Sequence, residues 1–529
     1  MLSSPIQNRV TTIASAMMLA LTANGCGGTS GYSTSPNSLA TEVKGTAIST
    51  AEATASSFSQ TAQFTPPTEA PISPPVAPQS TTNLPTIPQT LTTAPSTSEL
   101  RNDGPVLNQP TPLAATYTNV SSNIPDNSAT LTNSSLPLVT STDLVYQGAF
   151  RFPDLPYTGN VCDSLTYAAR GLAFDSEGNS GRGSLFVTGH DQCGARIAEV
   201  SIPTAVISSD LTKLPRSEML QVKPNVMIDA LEGKLASSGI GGGTTTTVNG
   251  LLVYQGNLFL SAANDYSYDP TGAHWSRSKN LSLTGRVSPQ YTIFGDQGYS
   301  SARLTSGYMC HVPDEFDSVL GGPALTGWIA ASIVSATSDG PAAFAFDPAK
   351  LSSGINVAST LLVYPDGKNL QKSISGQTQN IWNWTSMVRG CVIPNGTRSV
   401  LFLGSHGIGE FQYGVGGSSG HTNTTPVTAI YDPSDDSTGE HAWPYRYQVW
   451  AYDVNELAKV RRGDLKPYQP QPYAVWQFTI PFEKNNDRHN TGGIAYNHKL
   501  KQVYFVQQFA GPYGEPIVHV FTINNATSK

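Results

Sequence analysis

From about residue 141 the chain alternates short apolar runs with polar breaks, and one phrase of runs and breaks returns five times. The phrase is a glycine, an apolar run, a turn, and a second run built on Leu-Phe or its equivalent. The clearest copy is Gly171 to Asp175 followed by Gly183 to His190. Others are Gly250 to Tyr254 with Asn257 to Ser261, Gly390 to Pro394 with Val400 to Gly404, and Gly493 to Asn497 with Val503 to Val506. A degenerate copy pairs Cys310 to Pro313 with Gly327 to Ala331. Short runs rich in β-branched and aromatic residues, bounded by Gly, Pro, Asn and Asp, predict strands. A third strand follows in four copies: Arg196 to Pro203, Ala342 to Pro348, Gln448 to Asp453 and Ile517 to Ile523. Leu361 to Pro365 and Ala474 to Pro481 read as outer fourth strands. Helical turns are expected only after Pro203 and at Asp347-Pro348. Repetition at this scale predicts stacked supersecondary units.

Leu144 to Phe150 matches the fourth strand yet precedes the first copy, and the chain ends soon after the third strand of the last. The first strand is therefore expected to complete the last unit, which closes a ring and removes an exposed edge. The fold class is all-β: a β-propeller of five four-stranded blades over residues 141–529. The region resembles bacterial extracytoplasmic β-propellers, including the esterase-like and phytase-like groups. The resemblance implies a fold and leaves the activity open.

Composition changes the picture upstream. Residues 26–140 are dominated by Ser, Thr, Pro, Ala and Asn with few charges, a low-complexity linker expected to stay disordered as a stalk. Residues 1–25 carry Arg9 and an apolar run from Val10 to Leu21, too short for a membrane span and suited to a signal peptide. Ala23-Asn24-Gly25-Cys26 then resembles the bacterial lipobox, although Ala23 stands where that motif usually has Leu. The resemblance implies a lipidated Cys26 as the mature N-terminus and an anchor in an outer membrane or at a cell surface. The alternative is an ordinary secretory signal cleaved nearby. A net charge of −7 without basic runs argues against nucleic acid as partner.

Beyond Cys26 the cysteines are Cys162, Cys193, Cys310 and Cys391. In an exported chain four cysteines allow two disulfides in three connectivities. Cys162–Cys193 is the natural pair because both flank the first copy. Cys310 and Cys391 hold matching positions in neighbouring copies, so they either face each other or stay as buried thiols.

Candidate chemistry gathers where the loops leading into the first strands meet the loops after the second strands. The latter carry His190, Asp191, Asn264, Asp265, His406, Gln507 and Gln508. The former carry Arg170, Arg303, Trp382, Asn383, Trp384, Arg389, Asp487, Arg488 and His489. In a propeller both sets share one mouth of the channel. Aromatic faces beside Asn, Asp, His and Arg suit a glycan or a partner protein. The plain alternative is that these residues end strands and fill turns. His190 and His406 with Asp191 or Asp265 invite a zinc or iron reading, but no closely spaced ligand pair supports it. Asp432 to Glu440 concentrates carboxylates in one loop, where calcium or simple solvation would each fit. A glycosidase would need two carboxylates across the scissile bond, with Asp191, Asp265, Glu410 and Asp487 available. A phosphoester hydrolase and a structural envelope module complete the alternatives.

Overall fold

The computed structural model describes residues 116–117, 135–155, 160–221, 227–236, 246–264, 273–299, 302–328, 338–417, 430–484 and 487–527. Cys26, the signal peptide, nearly all of the linker and Asp265 lie outside the described residues. All described residues belong to the compact unit spanning Leu100–Lys529.

The unit is all-β, and its strands fall into five sets of four, here called quartets. The first joins Leu172–Asp175, Ser184–Thr188, Arg196–Ser201 and Ile228–Asp229 in that order. An eight-stranded sheet holds the next two. One is Thr246–Tyr254, Asn257–Asn264, His274–Ser278 and Tyr291–Gly295. The other is Met309–His311, Ala324–Thr326, Ala343–Phe346 and Gly354–Leu362. Their outer strands, Tyr291–Gly295 and Gly354–Leu362, pair in parallel, which fuses two quartets into one sheet. The fourth is Met387–Val392, Ser399–Gly407, Tyr445–Asp453 and Ala474–Phe478, extended by Thr116–Tyr117. The fifth is Thr491–Asn497, Gln502–Gln507, Ile517–Ile523 and Leu144–Arg151.

The expected pairing of the first strand with the last set is present. Leu144–Arg151 pairs antiparallel with Ile517–Ile523, Leu144 opposite Ile523 and Arg151 opposite Ile517. Just upstream the chain is fastened to the fourth quartet. Arg398 N donates to Pro137 O at 3.1 Å, Val139 N to Ser399 Oγ at 2.8 Å, and Tyr473 Oη to Val139 O at 2.7 Å.

The glycine that opens each copy has a packing reason. A Cβ on Gly390 would stand 2.6 Å from Ile494 Cβ in the fifth quartet, and one on Gly493 would meet the Leu172 backbone in the first. One on Gly171 would lie 3.3 Å from Leu251 Cγ in the second, and one on Gly250 would meet Gly307 O beside the third. At Gly390, Gly493 and Gly250 only hydrogen fits, and at Gly171 a Cβ would be tight. Four of the five junctions in the ring of inner strands are thus made by glycine. The fifth, between the third and fourth quartets, is the Cys310–Cys391 disulfide, with Cα atoms 5.9 Å apart. Cys162–Cys193 forms as well, with Cα atoms 5.3 Å apart. Two disulfides place the protein in an oxidising, extracytoplasmic setting. Among the described residues no helix is long and apolar enough to cross a membrane.

Apolar side chains from facing sheets fill the spaces between quartets. Phe402, Trp450 and Tyr452 pack with Tyr308, Leu361 and Tyr364 between the third and fourth. Tyr447, Phe478, Phe505 and Phe521 pack between the fourth and fifth.

Three details differ from the sequence reading. The second strand of the degenerate copy is Ala324–Thr326, ahead of the expected Gly327 to Ala331. The outer strand of that quartet starts at Gly354 and ends at Leu362, so the apolar run from Leu361 marked only its end. Two helices were missed, Asp314–Leu320 and Val454–Arg462. The second has its signals in plain view: Asp453 caps the start by accepting from Asn455 N, and Gly463 ends it at φ 85°.

Candidate functional site

Each inner strand runs away from one face of the ring, and each second strand returns to it. The loops leading into inner strands and those leaving second strands therefore share that face, the mouth. Beneath it the inner strands leave a cavity of about 30 Å³, lined by Leu172, Leu252, Met309, Val392, Ile494 and Tyr496 among others. That is room for about one water molecule.

The rim's central group is a carboxylate between guanidiniums. Arg170 Nε lies 2.8 Å from Asp191 Oδ2. Arg389, from the fourth quartet, also acts on the Asp191 charge. Burial pushes the Asp191 carboxyl up, and Arg170 and then Arg389 oppose it. Arg170 and Arg389 occupy one repeated position, the residue before the inner glycine. Asn249 holds it in the second quartet. The register shifts between Val388 and Gly390 and between Val248 and Gly250, so Arg389 and Asn249 sit on β-bulges. A bulge re-aims one side chain out of the sheet's alternation.

Beside this group stands His190, buried, its Nδ1 accepting from Gln192 N at 3.2 Å. Burial holds its imidazole below the usual range despite Asp191. Tyr167 packs against it at 5.7 Å between ring centroids and keeps half its surface exposed. Its O accepts from Asp191 N and its N donates to Gly514 O, both at 2.9 Å. Next to Gly514, Tyr513 is 76% exposed. Tyr167, Ala169, His489 and Phe509, all in rim loops, hold left-handed backbone at φ 49°, 68°, 54° and 57°. Such conformations cost about 1–3 kcal/mol each and concentrate at functional sites.

The structure distributes the other candidates differently. Trp382 is a core residue against Trp450, and Trp384 is half-buried against Phe411. They do not form the exposed aromatic face; Tyr167 and Tyr513 do. Neither tyrosine was singled out in the sequence, where loop tyrosines carry no mark of exposure. His406 is fully buried, with Nδ1 at 2.8 Å from Ser386 Oγ and Nε2 at 2.8 Å from Gln379 O. Burial pushes it down to about 4. Asn383 is spent on Gly407 O and Thr385. Gln507 bonds His519 and Phe482 O, and Gln508 bonds Ala168 O. His489 faces Glu483 at 3.3 Å and Tyr447. Asp487 accepts from His489 N at 3.2 Å, and burial pushes its carboxyl up. Arg303 stacks on Trp328 at 4.6 Å. Asn264 ends its strand.

The acidic loop has internal partners. A small sheet of Gln377–Thr378, Glu410–Val415 and Thr438–His441 stands on the mouth side of the fourth quartet. Glu410 is exposed on it. Buried Asp432 accepts from His441 Nδ1 at 2.8 Å, Tyr445 Oη at 2.7 Å and Ser434 N at 3.0 Å. Burial alone would raise its carboxyl, but these hydrogen bonds outweigh it and hold it at about 2. Asp435 pairs with Arg488. Asp432 and Asp435 thus fasten the small sheet and the loop before Thr491. Among the described residues no three His, Cys, Asp or Glu side chains come together as a metal-ligand set.

At the opposite face an open cleft of about 500 Å³ is lined by Asp175, Glu177, Glu199, Gln221 and Lys279. Its carboxylates all have partners: Lys279 Nζ reaches Asp175 at 3.0 Å and Glu177 at 2.7 Å, and Ser184 Oγ and Gln221 Nε2 donate to Glu199.

No protein-family model matches the chain, and no curated protein matches it. Among solved structures it is similar to a proposed glycoside hydrolase from Parabacteroides distasonis, with TM-score 0.34 and 11% identity over 75% of this chain and 96% of that one. It is also similar to a glycosyl hydrolase from Bacteroides ovatus, with TM-score 0.35 and 8% identity over 73% of this chain and 96% of that one. Likeness at that level carries no argument about activity.

Proposed function

We propose that the five quartets are the blades of one β-propeller and that this exported protein, lipid-anchored through Cys26, binds a glycan at its mouth. The ring of inner strands, each quartet ordered from inner to outer strand, supports the propeller. The observation that carries the binding reading is the rim. Arg170 and Asp191 pair there beside exposed Tyr167 and Tyr513, and the Arg389 charge acts on the same carboxylate. Tyrosine faces stack on sugar rings while charged groups and amides set their orientation.

A polysaccharide microarray probed with the secreted protein tests this. Wild type is expected to retain at least one polysaccharide. The Tyr167→Ala/Tyr513→Ala double variant should bind it about three- to tenfold more weakly. No retained polysaccharide, or equal binding by the variant, would sink the reading. For the anchor, Cys26→Ser should move the protein from the membrane pellet to the soluble fraction. A variant that still pellets refutes lipidation.

A hydrolase is the second reading, favoured by one observation: Asp191 and Asp487 are both rim carboxyls raised by burial. Release of reducing ends from the retained polysaccharide, abolished in Asp191→Asn, would establish it.

A further inference from the structure

We propose that the outer strand Gly354–Leu362 pairs edge to edge with the same strand of a second copy of this chain.

The strand serves two quartets along its length. From Ser359 onward it pairs with Ala343–Phe346, whereas Gly354 to Ala358 lie beside Tyr291–Gly295. Asp296 N donates to Ala358 O at 2.9 Å, so the backbone of Ala358 faces Tyr291–Gly295. Backbone direction alternates along a strand, so the N–H and C=O groups of Ile355 and Val357 face the other way. Among the described residues no strand pairs with them there. Their side chains are each 70% exposed. They share a face with Thr292 and half-buried Phe294, which stand opposite them in register. Ser352 N donates to Asn356 Oδ1 and Asn356 Nδ2 to Ser352 O, both at 2.9 Å, which holds the start of this edge in place.

Elsewhere the chain covers its own outer strands. Thr116–Tyr117 lies along Ala474–Phe478, and Ala149 exchanges hydrogen bonds of 3.0 Å with Val206 in both directions. Edges left open are commonly blunted by Lys, Pro or a bulge. Leu351 to Leu362 contains no proline and no charged residue. That composition also selects the partner. Two identical charged edges repel, whereas two identical neutral ones do not. Antiparallel pairing centred on Asn356 puts Ile355 opposite the partner's Val357, and Val357 opposite the partner's Ile355. Both are pairs of the kind that exchange N–H···O bonds in both directions. Each sets one β-branched side chain against another, a favourable cross-strand match. The contact is isologous, so it closes at two copies.

The test uses the full secreted chain carrying Cys26→Ser, so that no lipid drives association. Sedimentation equilibrium should show monomers and dimers in exchange, with a dissociation constant of about 1–100 μM, as suits a small contact. Hydrogen exchange at the Ile355 and Val357 amides should slow as protein concentration rises. Val357→Pro removes an outward N–H that no strand of its own chain uses, so the variant should melt as wild type does. Ile355→Lys keeps the backbone and adds a charge at the edge. Each variant should weaken association at least about tenfold. A monomer at every concentration, with both amides exchanging freely, overturns the pairing. So does a monomer in which both amides are protected at every concentration, the result expected if the linker covers this edge. A dimer that neither variant weakens has its contact elsewhere and overturns the pairing as well.

Discussion

At the scale of single residues, the rim shows how one local rule yields unlike outcomes. Arg170, Asn249 and Arg389 share a backbone position, and Asp191 follows a second strand, so their places could be read from the repeat. Trp382 and His406 stand at similar places yet turn into the core. The sequence does not separate these cases, because whether a loop side chain faces rim or core depends on the neighbouring sheet. Asp339 was missed altogether. It is 7% exposed, between Asn369 and Trp384. Burial, then the charge of Asp366, pushes it up to about 6 against a hydrogen bond from Trp384. A carboxyl that binds its proton more tightly when folded stabilises the fold below about pH 4. That contribution is lost as the pH rises to about 6. Asp339→Asn mimics the protonated form and can still accept from Asn369. It should gain about 1–3 kcal/mol at pH 7 and nothing at pH 4, read from urea melts. Equal effects at both pH values would refute the raised pKa.

At the scale of elements, strands were far more legible than helices or insertions. Period-two patterning bounded by turn residues is a strong signal when it recurs, and it located the inner, second and third strands of most quartets. The small sheet around Glu410–Val415 was illegible because it belongs to one quartet alone and repeats nowhere. The parallel pairing of Tyr291–Gly295 with Gly354–Leu362 is a long-range contact that local pattern cannot announce. The inner glycines were read as punctuation, whereas their role is contact between adjacent sheets. Gly390→Ala or Gly493→Ala should therefore destabilise the protein by about 2–4 kcal/mol, through overpacking that backbone cannot relieve. Gly439→Ala, in a strand with nothing near its missing Cβ, should stay within about 0.5 kcal/mol. Equal melts for the three variants would remove the glycine junctions from the account of the fold.

At the scale of the whole molecule, the pairing of Leu144–Arg151 with the last third strand was foreseen from its misplaced position in the sequence, and so was Cys162–Cys193, whereas Cys310–Cys391 was left open between a bond and two buried thiols. The Cys310–Cys391 bond closes a loop with a sequence separation of 81. In a chain-entropy estimate such a crosslink contributes roughly 4–5 kcal/mol. The closing strand has a mechanical meaning too. Its first residue, Leu144, is at the end remote from the mouth, since it pairs with Ile523 and not with Ile517. A pull on the chain at residue 135 meets Pro137, Val139 and their partners on the fourth quartet before it reaches the ladder with the fifth. The load is shared by two sheets, and it enters on the face opposite the mouth. A molecule wired this way can be tugged from one side while the loops at the other keep their places.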